Sequence, residues 1–110
     1  MTRVCFIVNP VAGRGQGLAR WKQIEPLASR LGEYGVKFTR GPGEATELAR
    51  LAVKEGYDRV VSLGGDGTLN EVGNGLVGTD AALAVIPAGT GNDWVRTTGV
   101  PTDPAEGCRL

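Results

Sequence analysis

The sequence predicts a three-layer α/β domain, with a mostly parallel sheet and helices on both of its faces. Strand-like and helix-like segments alternate along the chain, the pattern of βαβ units. Val4–Val8 is a continuous apolar run and Arg59–Leu63 is rich in Val, as strands covered on both faces require. Glycine-rich loops follow three of the predicted strands.

Val4–Val8 is the first strand, and Asn9–Gly17 is a loop by its Gly and Pro content. Leu18, Trp21, Ile24, Leu27 and Leu31 recur at helical spacing. Pro26 is expected to kink or restart that helix, and Gly35 to end it. Val36–Thr39 reads as a short second strand and Arg40–Gly43 as a loop. A helix follows from Glu44 to Glu55 with Gly56 as its cap. Arg59–Leu63 is the third strand, Gly64–Gly67 a sharp loop, and Thr68–Leu76 a helix. Gly73 and Gly75 each cost that helix about 1 kcal/mol against Ala, so it is expected to pack very close to a neighbour. Ala82–Ile86 is the fourth strand, followed by a loop at Pro87–Asp93 and a short helix at Trp94–Thr97. Asp103-Pro104-Ala105-Glu106 carries the signals of a helix start, and the sequence stops at Leu110. A truncation inside a newly begun helix is the sharper reading of that end, and a frayed terminal helix the blander one.

Composition bounds the function. The 110 residues suit one domain and are short for an enzyme with both cofactor and substrate domains. Twelve basic and 12 acidic residues cancel, which argues against a nucleic-acid partner. The first apolar run is too short for a signal peptide, and no stretch approaches the ~20 apolar residues that cross a bilayer. A cytoplasmic protein is expected, with peripheral membrane contact left open. Cys5 and Cys108 lack metal-site spacing and read as plain thiols in a reducing compartment. The chain has no histidine, which removes Ser-His-Asp machinery and His-ligated metals; no protein metal site is expected. Proton transfer would fall to a carboxylate or an amine.

In an open parallel sheet, ligands bind along the edge where the strands end. Three glycine-rich loops are expected to converge there. In Gly64-Gly65-Asp66-Gly67-Thr68, glycine lets the backbone approach a ligand, and the following helix offers free N–H groups that attract phosphate. It is not a Walker loop, since no Gly-Lys-Ser/Thr occurs. Asp66 would repel phosphate unless a cation such as Mg²⁺ lies between them, or it serves only as a turn former and cap. Gly13-Arg14-Gly15-Gln16-Gly17 offers more N–H groups, and Arg14 is a candidate to reach a phosphate, against the bland reading of a surface turn. Thr90 and Asn92 are donors in the third loop, where Asn92 or Asp93 can equally cap the next helix.

These loops resemble the diacylglycerol kinase catalytic domain, shared with sphingosine and ceramide kinases, and the bacterial lipid-kinase branch in particular. The resemblance rests on Asn9-Pro10-Val11-Ala12-Gly13, on Gly43-Glu44-Ala45-Thr46 with Thr39 ahead of it, and on Gly64 through Val72 with Asn74-Gly75-Leu76. Pro87 through Asp93 with Arg96 completes it. Trp94 replaces the more usual Phe or Leu. The resemblance implies a fold shared with NAD kinases and phosphofructokinases. It implies ATP as substrate with Mg²⁺, and γ-phosphoryl transfer to a lipid hydroxyl, with diacylglycerol the first choice. It places ATP on Asn9, Pro10, Val11, Ala12 and Gly13, on Thr39, on Gly65, Asp66, Gly67, Thr68, Leu69, Asn70 and Glu71, and on Thr90. Asp66 is the candidate catalytic group on this chain. Residues 1–110 would be the nucleotide-binding N-terminal domain. A C-terminal β-rich domain, which in the family supplies structural Mg²⁺ ligands, an acidic proton acceptor and the lipid contacts, is absent from this sequence. The isolated chain is therefore expected to lack lipid-kinase activity and to be prone to self-association. The alternatives are an NAD kinase-like enzyme, which shares the Gly-Gly-Asp-Gly loop, and a non-catalytic nucleotide-binding module. The Asn70-Glu71-Val72 and Pro87–Asp93 stretches favour the lipid kinase.

Overall fold

A computed structural model describes residues 3–30 and 32–87. The expected helices at Trp94–Thr97 and from Asp103, and the residues Thr90, Asn92, Arg96 and Cys108, lie outside the described residues.

Four strands form one parallel sheet in the order β2-β1-β3-β4, with β1 at Val4–Val8, β2 at Tyr34–Phe38, β3 at Arg59–Gly64 and β4 at Ala82–Pro87. The connecting helices are α1 (Ala12–Ser29), α2 (Glu44–Lys54) and α3 (Asp66–Leu76). The alternation of side chains along each strand sorts the core into two layers. Phe6, Val8, Val61, Leu63 and Ile86 pack with Trp21, Ile24 and Ala28 of α1. Cys5, Ile7 and Val60 face the other way, onto Ala45, Ala49 and Ala52 of α2 and Val72 and Leu76 of α3. The sheet is thus covered on both faces, as the apolar run of β1 demands; all five of its residues are buried. An aromatic cluster secures α1: the Phe6 ring lies 5.0 Å from Trp21 and 5.9 Å from Tyr34.

The boundaries depart from expectation in four places. The first turn of α1 forms at Ala12, inside the Asn9–Gly17 segment expected to be loop, before the chain turns left-handed at Gly13. Pro26 does not break α1, which runs on to Ser29; the departures from helical φ/ψ are at Gly13, Arg14 and Gly15. The carbonyl that Pro26 leaves without a partner belongs to exposed Lys22, where water can satisfy it. Gly35 lies inside β2 rather than ending the helix, because the Tyr57 hydroxyl packs where its Cβ would stand. The left-handed residue of that turn is Gly32, at φ 102°. Finally, α3 begins at Asp66, two residues earlier than the apolar pattern suggests, since an acid suits the positive end of a helix.

Gly73 and Gly75 of α3 play different parts. A Cβ on Gly75 would come within 2.6 Å of the Thr46 carbonyl oxygen and 2.7 Å of the Ala49 Cβ. Here α2 and α3 meet backbone to backbone, and the Thr46 hydroxyl donates to the Glu71 carbonyl at 2.8 Å. A Cβ on Gly73 would meet only Leu83, at 3.9 Å. Gly75→Ala should therefore destabilise the domain by about 1–3 kcal/mol through overpacking. Gly73→Ala should stabilise it by up to about 1 kcal/mol through helix propensity. Urea midpoints at constant m distinguish the two.

Cys5 supplies a pH test of the core. Burial pushes its thiol from 9.0 up to about 11, with Lys37 opposing and Glu55 reinforcing the change. Lys37 is itself raised above its ordinary value, mainly by its hydrogen bond to Glu55 at 2.9 Å. The unfolded thiol ionises first, so the native state holds more protons between these two values and stability falls as pH rises through them. The thiol contributes a loss of about 2–3 kcal/mol from pH 9 to 11. Cys5→Ala should flatten that decline relative to wild type, measured by urea unfolding at stepped pH. The Lys37 contribution, lost only above its ordinary value, should persist in the variant.

Candidate nucleotide site

The strand order creates the site. From β1 the chain crosses to β2 on one side, whereas from β3 it crosses to β4 on the other. The connections therefore diverge beyond the ends of β1 and β3 and leave a crevice, the usual ligand position in open α/β sheets. A groove of about 480 Å³ occupies that end of the sheet. Asn9 and Val11 line it from the loop after β1, and Gly67, Thr68 and Glu71 from the first turns of α3. The loop after β2 supplies Thr39, Arg40, Gly41 and Pro42.

Each wall is fixed by hydrogen bonds that follow from local sequence. The Asn9 N–H donates to the Leu63 carbonyl at 2.9 Å and the Thr39 N–H to Val8 at 2.9 Å, extending the ladders by one residue past the strands. The Asn9 side chain accepts the Val11 N–H at 3.2 Å, an Asx turn. Gly13, Arg14 and Gly15 then adopt left-handed geometry, and α1 resumes with the Leu18 N–H on the Pro10 carbonyl at 3.1 Å. Arg14 is the non-glycine residue with positive φ among those described, and its side chain is exposed outside the groove. Glu44 ties down the third wall. Its carboxylate accepts the Arg40 N–H at 2.9 Å and pairs with the Arg40 guanidinium at 3.5 Å.

The start of α3 gives the groove its electrostatic character. Gly65 is the N-cap and no side chain caps the helix. The partial positive charge of the helix terminus is therefore available to an anion. Gly64 has no room for a Cβ because Thr68 packs against it, which draws α3 onto the end of β3. Thr68 is only 6% exposed, and its hydroxyl accepts from the Asn9 Nδ2 at 3.3 Å.

The structure gathers Asn9, Val11, Thr39, Gly67, Thr68 and Glu71 around one groove. Pro10, Ala12 and Gly13 belong to the same β1 loop without lining it. Gly65 and Asp66 stand exposed at the start of α3, and Leu69 and Asn70 turn elsewhere on that helix. Thr90 lies outside the described residues. Arg40, Gly41 and Pro42 escaped the sequence reading, although their place directly after a parallel strand was a usable signal. No group of three or more potential ligands among the described residues could hold a metal. A larger groove, about 630 Å³, lies along α2 beside the end of α3. It is lined by Leu48, Leu51 and Val77 and has none of the glycine loops. Among the described residues no helix is long and apolar enough to cross a membrane.

Comparison with known proteins agrees with this geometry. Residues 3–110 match the family model of the diacylglycerol kinase catalytic domain. A diacylglycerol kinase of Bacillus subtilis (strain 168) is 38% identical over 106 residues, covering 94% of this chain and 35% of that protein. A diacylglycerol kinase of Mycobacterium tuberculosis (strain H37Rv) is 38% identical over 104 residues, covering 91% of this chain and 33% of that protein. A crystal structure of a diacylglycerol kinase from Bacillus anthracis superposes with a TM-score of 0.75 at 37% identity, covering 97% of this chain and 40% of the other. The chain thus spans about a third of the length of the curated relatives it matches. With the glycine loops, the parallel sheet and the family model in agreement, the chain belongs to the diacylglycerol kinase catalytic domain family.

Proposed function

We propose that residues 1–110 form the nucleotide-binding N-terminal domain of a lipid kinase that transfers the γ-phosphoryl group of ATP to a lipid hydroxyl, that of diacylglycerol. The observation that carries this reading is the groove at the ends of β1, β2 and β3, which holds an uncapped helix N-terminus beside Thr68 and Arg40. Phosphoryl transfer relies on positioning and charge stabilisation, and such a groove provides both for a polyphosphate. Backbone N–H groups of Gly67 and Thr68 would take phosphate oxygens, with the Asn9–Gly13 loop and Thr39 forming the adjoining walls. Leu69, Asn70 and Glu71 extend the α3 wall, and Thr90 would add a donor.

Among the described residues no three acids or thiols stand together as metal ligands; Mg²⁺ is read as part of the MgATP substrate, held mainly by its phosphates. Asp66 is exposed at the start of α3, where it can face either that complex or the incoming hydroxyl. As base it would take the hydroxyl proton while the lipid oxygen bonds the γ-phosphorus and ADP leaves. The lipid would be held by a C-terminal β-rich domain outside this sequence, in an enzyme of the cytoplasm that meets the membrane peripherally.

The test is a pair of radiolabelled-ATP assays with diacylglycerol vesicles, on residues 1–110 and on the full-length gene product. Transfer by the full-length protein alone is the expected result. Transfer by neither favours a non-catalytic nucleotide-binding module, and transfer by residues 1–110 refutes the need for a second domain. In the full-length protein Asp66→Ala should lower turnover by at least ~10²-fold while the melting temperature holds, the usual scale for losing a positioned acid–base or electrostatic group. Turnover near wild type would reduce Asp66 to a turn former.

A further inference from the structure

We infer that Asn9 is a positioning residue, acting on the nucleotide through Thr68 by fixing the Thr68 hydroxyl as a hydrogen-bond donor into the groove. This rests on the nucleotide-binding reading above and goes beyond it, since it assigns Asn9 an indirect role and names the atom through which it works. The orientation of the Asn9 amide follows from its neighbours. The Val11 N–H points at one end of that amide at 3.2 Å, and a donor requires an acceptor, so that end is Oδ1. The other end must then be Nδ2, and it lies 3.3 Å from the Thr68 Oγ1. An amide NH₂ only donates, so the hydroxyl oxygen accepts and its own proton must point elsewhere.

That proton has little choice of direction. Thr68 is 6% exposed, and Gly64 closes on its Cβ from the β3 side. No described residue accepts the hydroxyl proton. Thr68 lines the groove, so an acceptor bound there can take that proton. A buried hydroxyl left without an acceptor is costly, and an anionic phosphate oxygen beside a helix N-terminus satisfies it with a charge-assisted bond. Asn9 engages both ends of its amide within the protein, which leaves one Nδ2 N–H over, and the double-mutant cycle separates the indirect role from direct contact through that N–H. Its anchor is also rigid: its N–H bonds to Leu63, and the Gly17 backbone is packed against its carbonyl.

The experiment is a double-mutant cycle in the full-length enzyme, read as the dissociation constant of the non-hydrolysable analogue AMP-PNP and as KM and kcat. Asn9→Ser is chosen because a short hydroxyl can keep the turn to Val11 but cannot reach Thr68. Thr68→Val removes the hydroxyl at nearly constant shape, and Thr68→Ser restores it. Thr68→Val should weaken AMP-PNP and raise the ATP KM by about 10-fold, the scale of one hydrogen bond to a charged group. Asn9→Ser should weaken both several-fold. The double variant should be no worse than Thr68→Val alone, Thr68→Ser should bind near wild type, and the lipid KM should not move. Effects of Asn9→Ser and Thr68→Val that multiply would show Asn9 acting on the nucleotide directly and overturn the inference. So would unchanged binding in Asn9→Ser, or a loss in every variant that tracks a fall in melting temperature. If wild type itself neither binds AMP-PNP nor transfers phosphate, the nucleotide reading fails and takes this inference with it. If wild type does both, an additive cycle removes only the role of Asn9.

Discussion

The pairing of β1 with β3 sets both the core and the crevice. These strands are neighbours in the sheet but distant in sequence, with Val8 opposite Leu63 at their carboxyl ends. The register is set by burial on both faces: Phe6 and Val61 must meet α1 while Ile7 and Val60 meet α2 and α3. A slip by one residue would exchange the two sets and place each against the wrong helix layer. The same register puts Asn9 beside Gly64, and the Asn9 N–H closes onto Leu63. Core packing and site geometry are therefore one choice. The loop after β1 and the first turn of α3 meet because hydrophobic side chains two to four residues earlier have fixed where both strands end.

Absent side chains translate this arrangement into a surface. At Gly64 the missing Cβ lets Thr68 settle against β3, which sets the helix terminus on the crevice. At Gly75 it lets α3 lie against the backbone of α2, and Thr46 locks the contact by donating to the Glu71 carbonyl. Glu71 also lines the groove. The α2–α3 contact thus reaches the site through a single residue, although its tightest point lies a turn further along α3. The Arg40 lip is held in turn by Glu44 at the start of α2. Two of the three groove walls consequently report on the placement of α2, whose own contacts to the sheet are mainly small alanines.

Much of this was legible in the sequence, and the boundary of legibility is physical. The strands of the sheet interior were clear because burial on both faces leaves an unbroken apolar run, as in β1. The edge strand β2 was misplaced by two residues at its start. Tyr34 and Gly35 belong to it only because Trp21 and Tyr57 are there to pack on them, and those partners are remote in sequence. Pro26 looked like a breaker because propensity counts the lost hydrogen bond and cannot see that the orphaned carbonyl faces water. At the site, the glycine loops were visible as composition, but the groove is a matter of strand order. The place of Arg40, Gly41 and Pro42 directly after a strand was visible, but they line the groove because β2 lies beside β1, and that strand order is non-local. The hydrogen bond between Asn9 and Thr68 spans 59 residues and is equally non-local.

The charges around the groove explain why so balanced a chain can still favour an anion. The 12 basic and 12 acidic residues give no net field, so attraction must be local. Arg40 is the cationic lining residue, and part of its charge is already engaged by Glu44. Glu71 on the same lining carries the opposite sign. Side-chain charges alone therefore come close to cancelling, and the deciding contribution is the backbone. The N-terminus of α3 has no side-chain cap and presents fixed N–H dipoles, with the Asp66 carboxylate in the same turn. Asp66 in the first turn complements the helix dipole, and on the proposed nucleotide reading it would repel a bare polyphosphate. A nucleotide carrying Mg²⁺ relieves that conflict, because the cation offsets the added negative charge where acid and phosphate come closest. On the proposed nucleotide reading, an acid at this helix terminus would favour a metal-neutralised polyphosphate over a bare one, so that MgATP would be preferred to free ATP.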